Sequence, residues 1–169
     1  MKAVADASAL LSLEYMGVLD DAIGIADIYT TAIVEDELKE ISGYRDEKSR
    51  MAIKILSLVG DGKVKCIETK GDMLSKYISL NHCFALCLGA KIPVLLTDDA
   101  DAAYYLGRMA AQKGIKLRMC AAVLMELIST GKITPQAAKG KLEELIQKRS
   151  WEGGILEVLA RRYIDGGEW

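Results

Sequence analysis

The chain of 169 residues has one histidine, one phenylalanine and two prolines, and its four cysteines form no CxxC pair. No secretory leader is read ahead of Cys66, Cys83, Cys87 and Cys120, which argues against a disulfide framework; they are expected to be reduced thiols in a cytoplasmic protein. No apolar run approaches the roughly 18 uncharged residues of a membrane span, so no membrane partner is expected. The formal net charge is −2, with no basic excess of the kind that marks bulk electrostatic binding of nucleic acid, although a local basic groove stays open. There are no internal repeats and no low-complexity segment.

What is present is an ordinary globular balance of 51% hydrophobic and 27% charged residues, enough for one domain with a sizeable core. The hydrophobic period alternates between short apolar runs and longer helical stretches, the pattern of βα units around a parallel sheet. Strands are expected at Lys2–Ala5, Ile28–Thr30, Val64–Glu68, Pro93–Asp98 and Ile115–Arg118. Helices are expected over Ser8–Tyr15, Val18–Ile23 (closed by Gly24), Ala32–Ser42 after a Thr31 cap, and Glu47–Val59 after an Asp46 cap. Further helices follow at Gly71–Tyr77, Leu80–Leu88 after a Ser79 cap, Ala100–Lys113, Ala121–Thr130, Pro135–Lys148 after Thr134, and Ile155–Tyr163. The fold class is α/β, a three-layer α/β/α sandwich with four to five parallel strands. Residues 1–149 form the domain, and 150–169 add a C-terminal helix and tail packed on it.

Two of the apolar strands run into aspartate: Lys2–Ala5 into Asp6, and Val94–Leu96 through Thr97 into Asp98 and Asp99. In an open parallel sheet these carboxylates meet at the carboxyl edge, where such sheets place ligands. Ionised carboxylates gathered within a few ångströms raise each other's pKa or recruit a cation, which points to a hard divalent metal. Such an ion polarises a phosphoryl oxygen and makes a water nucleophilic. Asp6 and Asp99 are the natural pair, Asp98 and Asp101 compete for the role, and Ser8 and Thr97 are placed to orient water or phosphate. Helix capping explains the same aspartates and is compatible with metal binding.

The segments "AVADASALLSL", "TTAIVEDELKEI", "SLNHCFALCLGAKIPVLLTDDADAA" and "GIKLRMCAAVLMELISTGKITPQAA" together resemble the PIN domain family, most closely its VapC-like branch from bacteria and archaea, over roughly residues 2–149. The resemblance implies a metal-dependent nuclease, usually a ribonuclease using Mg²⁺ or Mn²⁺, with frequent homodimers and, in the VapC branch, an antitoxin that neutralises it. By position it implies Asp6 as the first acid, Glu37 as the second and Asp99 as the acid after the fourth strand. From pattern alone Glu37 reads equally as part of a solvated acidic face with Glu35, Asp36 and Glu40 or as a functional acid, and only the resemblance singles it out. Similar sequences often read "SLADCFALALA" where this chain reads "SLNHCFALCLG", so the family's central acid falls on His82.

Histidine brings a neutral nitrogen where a hard cation wants oxygen, which lowers magnesium affinity and admits manganese or another transition metal. Ala103 stands where similar proteins often carry arginine. Lys39, Arg45, Lys48 and Arg50 form a basic patch that is either a solvated face or a phosphate track. Cys83 and Cys87 read as buried small hydrophobes rather than zinc ligands, and Trp151 and Trp169 as single aromatics or contributors to a dimer or antitoxin contact. A second reading is a catalytically degenerate PIN-like module used for binding or regulation. A third, a phosphotransfer receiver, lacks its aspartate around Val64–Glu68.

Overall fold

The computed structural model describes residues 1–68 and 81–164. The expected helix at Gly71–Tyr77, the Ser79 cap and Trp169 lie outside them. Five strands, β1 (Lys2–Ala5), β2 (Asp27–Thr31), β3 (Val64–Ile67), β4 (Val94–Leu96) and β5 (Lys116–Arg118), form one all-parallel sheet in the order β3-β2-β1-β4-β5. The helices among the described residues are α1 (Ala7–Tyr15), α2 (Leu19–Ile25), α3 (Ala32–Ser42), α4 (Glu47–Gly60), α5 (His82–Ala90), α6 (Ala100–Gln112), α7 (Ala121–Ser129), α8 (Pro135–Lys148) and α9 (Ile155–Ile164). This is the α/β class expected from the alternating periods.

From β1 the chain winds outward through β2 to β3, then returns and winds the other way through β4 to β5. Because the direction of winding reverses between β1 and β4, right-handed crossovers send the helices that link the strands of the two halves to opposite faces. β1 is therefore central, paired on one side through Ala3↔Ile28 and on the other through Ala5↔Leu96. Ala3, Val4 and Ala5 are fully buried, and their small side chains let α5 lie across β1, β2 and β4. α1, α3 and α4 pack together, and α9 packs on α7 and α8, which joins residues after 149 to the same body. The stripe Val123, Leu124, Leu127, Leu142, Leu145 and Ile146 is core, as its spacing implies.

Local chemistry sets most boundaries. Thr31, Asp46 and Thr134 cap α3, α4 and α8 through side-chain oxygens, and Pro135 occupies the first turn of α8. Two expectations are corrected. Gly24 lies within α2, which closes where Ala26 turns extended. α5 begins at His82, because Asn81, with its Oδ1 accepting from the Phe84 amide at 2.9 Å, is its cap.

Candidate functional site

The reversal between β1 and β4 leaves a crevice at the carboxyl edge of the sheet, and a cavity of about 280 Å³ lies there. Its walls come from the N-terminal halves and caps of four helices: Asp6 and Ser8 at α1, Glu37 in the second turn of α3, Asn81, His82 and Cys83 at α5, and Asp99 at α6. Asp6, Glu37 and Asp99, separated in sequence, thus face one cavity. Among the described residues no lysine or arginine lines it beside these three carboxylates.

Both strand-end aspartates are also helix caps. Asp6 Oδ1 accepts from the Ala9 amide at 2.8 Å and the Ser8 hydroxyl at 2.7 Å. Asp99 Oδ1 accepts from the amides of Asp101 and Ala102 at 2.9 and 3.2 Å, leaving Oδ2 without a protein partner among the described residues. Capping therefore fixes each carboxylate while engaging mainly one oxygen, so the two roles coexist as their chemistry allows.

Two hydroxyls stitch the strand ends together. Ser8 Oγ donates to Asp6 and accepts from the Asp98 amide at 2.9 Å. Thr97 Oγ1 also hydrogen-bonds Asp6 and accepts from the Asp99 amide at 3.2 Å. Behind them the Thr30 hydroxyl donates to the Ala5 carbonyl at 2.9 Å, anchoring the end of β1. Burial outweighs these hydrogen bonds and pushes the Asp6 carboxyl from its ordinary 3.8 up to about 6, with Asp98 adding a like charge. A cation beside it would reverse that shift.

Asp98 does not line the cavity. It is buried, its Oδ1 accepts from the Cys120 amide at 3.0 Å, and burial pushes its carboxyl up. Along an extended chain neighbouring side chains leave on opposite faces, so Asp99 lines the cavity and Thr97 braces Asp6 while Asp98 serves the core. His82 lines the cavity with its Nδ1 buried and unpartnered.

The basic residues Lys39, Arg45, Lys48 and Arg50 are exposed and line no part of this cavity. Lys39 is held by Glu35 at 2.9 Å and Asp36 at 3.0 Å on its own helix, which largely cancels its charge. Cys83 and Cys87 are buried, with Cys87 Sγ 3.5 Å from the Val94 carbonyl oxygen. Trp151 is buried under the Arg149 guanidinium, so it offers no free surface aromatic. Sequence reasoning missed Asn81 as a cavity residue. Asparagine just ahead of an apolar helical run is the signal that marks it.

Among the described residues no set of three His, Cys, Asp or Glu side chains is gathered closely enough to hold a metal ion. Nor is any helix among them long and apolar enough to cross a membrane. No family model matches the chain, and no curated protein matches it.

Proposed function

We propose that this protein is a divalent-metal-dependent endoribonuclease of the PIN and VapC type that hydrolyses RNA phosphodiester bonds. The observation that carries the reading is the convergence of Asp6, Glu37 and Asp99 on one cavity that no lysine or arginine lines among the described residues. Uncompensated carboxylates in a crevice attract a cation, and Asp6, raised to about 6 by burial, gains most from one. Mg²⁺ or Mn²⁺ keeps several waters and is usually held by one or two carboxylates together with substrate phosphate, so a compact three-ligand cage is not required. Asp6 and Asp99 would hold the ion, with Glu37 in the same cavity and His82 biasing the choice toward Mn²⁺ or another transition metal. When bound, the ion would supply electrophilic activation of the phosphate and of water.

The chain's own residues do the positioning. Ser8 and Thr97 fix Asp6, the α6 amides fix Asp99, and the helix N-termini around the cavity favour an approaching phosphate. The expected result is RNA cleavage with Mn²⁺ or Mg²⁺ that Asp6→Asn abolishes. Absence of cleavage with every divalent metal, together with no metal binding by calorimetry, overturns the proposal. A toxin role with a neutralising antitoxin and a homodimeric state belong to the same proposal and rest on the family resemblance alone.

A second reading, a catalytically degenerate PIN-like module that binds or regulates, is favoured by His82 at the central position and by the absence of a three-ligand group among the described residues. His82→Asp separates the two. A large gain in cleavage and metal affinity supports degeneration, whereas loss or no change supports a working site that contains histidine.

A further inference from the structure

Asn81 lines the acidic cavity and caps α5 with one half of its amide, Oδ1 accepting from the Phe84 amide at 2.9 Å. That bond fixes which end of the side chain is which, because only the oxygen accepts, so the other end is the Nδ2 amino group with two protons to give. No protein group takes either proton among the described residues. The other side-chain donors on the cavity wall are engaged. Ser8 gives its one proton to Asp6, and the Cys83 thiol, a weak donor, has its sulfur 4.0 Å from the Ala5 carbonyl oxygen. His82, with Nδ1 buried and unpartnered, belongs to the ion in the proposed reading.

We infer that Asn81 is the substrate-binding donor of this site, its Nδ2 hydrogen-bonding a non-bridging oxygen of the RNA phosphate. The inference rests on the proposed nuclease reading for the presence of that phosphate. A phosphate between a divalent ion and three carboxylates turns one non-bridging oxygen to the ion and leaves the other among acceptors, unless the wall supplies a donor. With no lysine or arginine lining the cavity among the described residues, a neutral amide fills that role and does not compete with the ion for Asp6 and Asp99. An amide whose oxygen is already committed only donates, and a phosphate oxygen only accepts, so the two match; a ribose hydroxyl, which also has a proton to place, matches less well. The position of Asn81 at the N-terminus of α5 adds partial positive charge beside the same oxygen.

Two substitutions keep the cap and change the donor. Asn81→Asp is isosteric and exchanges Nδ2 for a carboxylate oxygen; Asn81→Ser caps as well as asparagine but is too short to place a donor where Nδ2 lies. Asn81→Ser is expected to melt within about 2 °C of wild type in EDTA and to keep the stabilisation by Mn²⁺, which Asn81→Asp keeps or enlarges. The probe is a fluorescein-labelled single-stranded RNA of random sequence. Its cleavage in Mn²⁺ should fall in kcat/KM roughly tenfold for Asn81→Ser and roughly a hundredfold for Asn81→Asp, mainly through KM, and its affinity by anisotropy in Ca²⁺ should fall in parallel. Wild-type RNA affinity in Asn81→Ser overturns the inference. So does loss of the Mn²⁺ stabilisation in Asn81→Ser along with RNA binding, which would make Asn81 a support for His82 rather than a ligand of phosphate. The nuclease reading is judged on wild type: RNA bound in Ca²⁺ but cut with no divalent metal refutes the nuclease alone, cleavage indifferent to Asn81→Ser refutes the role of Asn81 alone, and no RNA binding refutes both.

Discussion

Replacing Asp6 by asparagine should stabilise the metal-free protein while removing its proposed activity. Folded Asp6 keeps its proton up to about pH 6, whereas in the unfolded chain it releases it near the ordinary 3.8. The native state thus binds more protons across that interval. The contribution of Asp6 to stability is complete below about pH 4 and declines as pH rises to about 6, beyond which the deficit is constant. A shift of this size corresponds to about 3 kcal/mol at pH 7. Asparagine cannot ionise, yet its Oδ1 can still accept from the Ala9 amide and the Ser8 hydroxyl, and it is as good a cap as aspartate. Asp6→Asn should therefore gain about 2–3 kcal/mol at pH 7, or roughly 5–10 °C in melting temperature for a domain of this size, and almost nothing at pH 4. Urea unfolding of both proteins in EDTA between pH 4 and 8 measures this. Mn²⁺ should then raise the stability of wild type by mass action and leave the variant unmoved. A variant difference that is flat with pH, or a variant less stable at pH 7, refutes the reasoning.

Asp98→Asn should be stabilising at neutral pH, because burial raises this carboxyl too, and should leave cleavage within about twofold; a large loss of metal affinity by calorimetry would place Asp98 in the site after all. Ser8→Ala removes the hydroxyl that links Asp6 to the Asp98 amide, and should cost about 1–2 kcal/mol in denaturant and roughly tenfold or more in cleavage. Asn81→Ala should cost about 1 kcal/mol through loss of the α5 cap and weaken metal binding by loosening His82, both read in one set of thermal shifts with and without Mn²⁺. Restoring the carboxylate with His82→Asp should strengthen Mg²⁺ binding, checked by calorimetry.

The parallel sheet, its edges and most helix starts were legible because local chemistry and tertiary need agree there: Thr31, Asp46 and the Thr134–Pro135 pair each satisfy helix amides where the apolar period changes. The pairing of Asp6 with Asp99 was legible for a similar reason, since both sit where a buried strand ends. Asp98 was misread because adjacency in sequence was taken for adjacency in space, whereas extended backbone sends it to the opposite face, toward Cys120. Of the two readings of the basic patch, a solvated face or a phosphate track, Lys39 fits the first, since Glu35 and Asp36 sit four and three positions before it on the same helix and pair with it. Asn81 was overlooked in favour of Ser79, two residues earlier, although either residue type can cap.

The central place of β1 has a consequence for synthesis. Its residues emerge before those of the other strands, yet one of its two partners, β4, is encoded far downstream, and Asp98 Oδ1 gains the Cys120 amide only once that residue is present. At ordinary elongation rates Asp6 waits roughly 5 to 20 s on the ribosome before Asp99 follows it out. The acidic crevice therefore cannot assemble on a nascent chain before β4 and Asp99 have emerged, and every truncated product that stops before β4 lacks it.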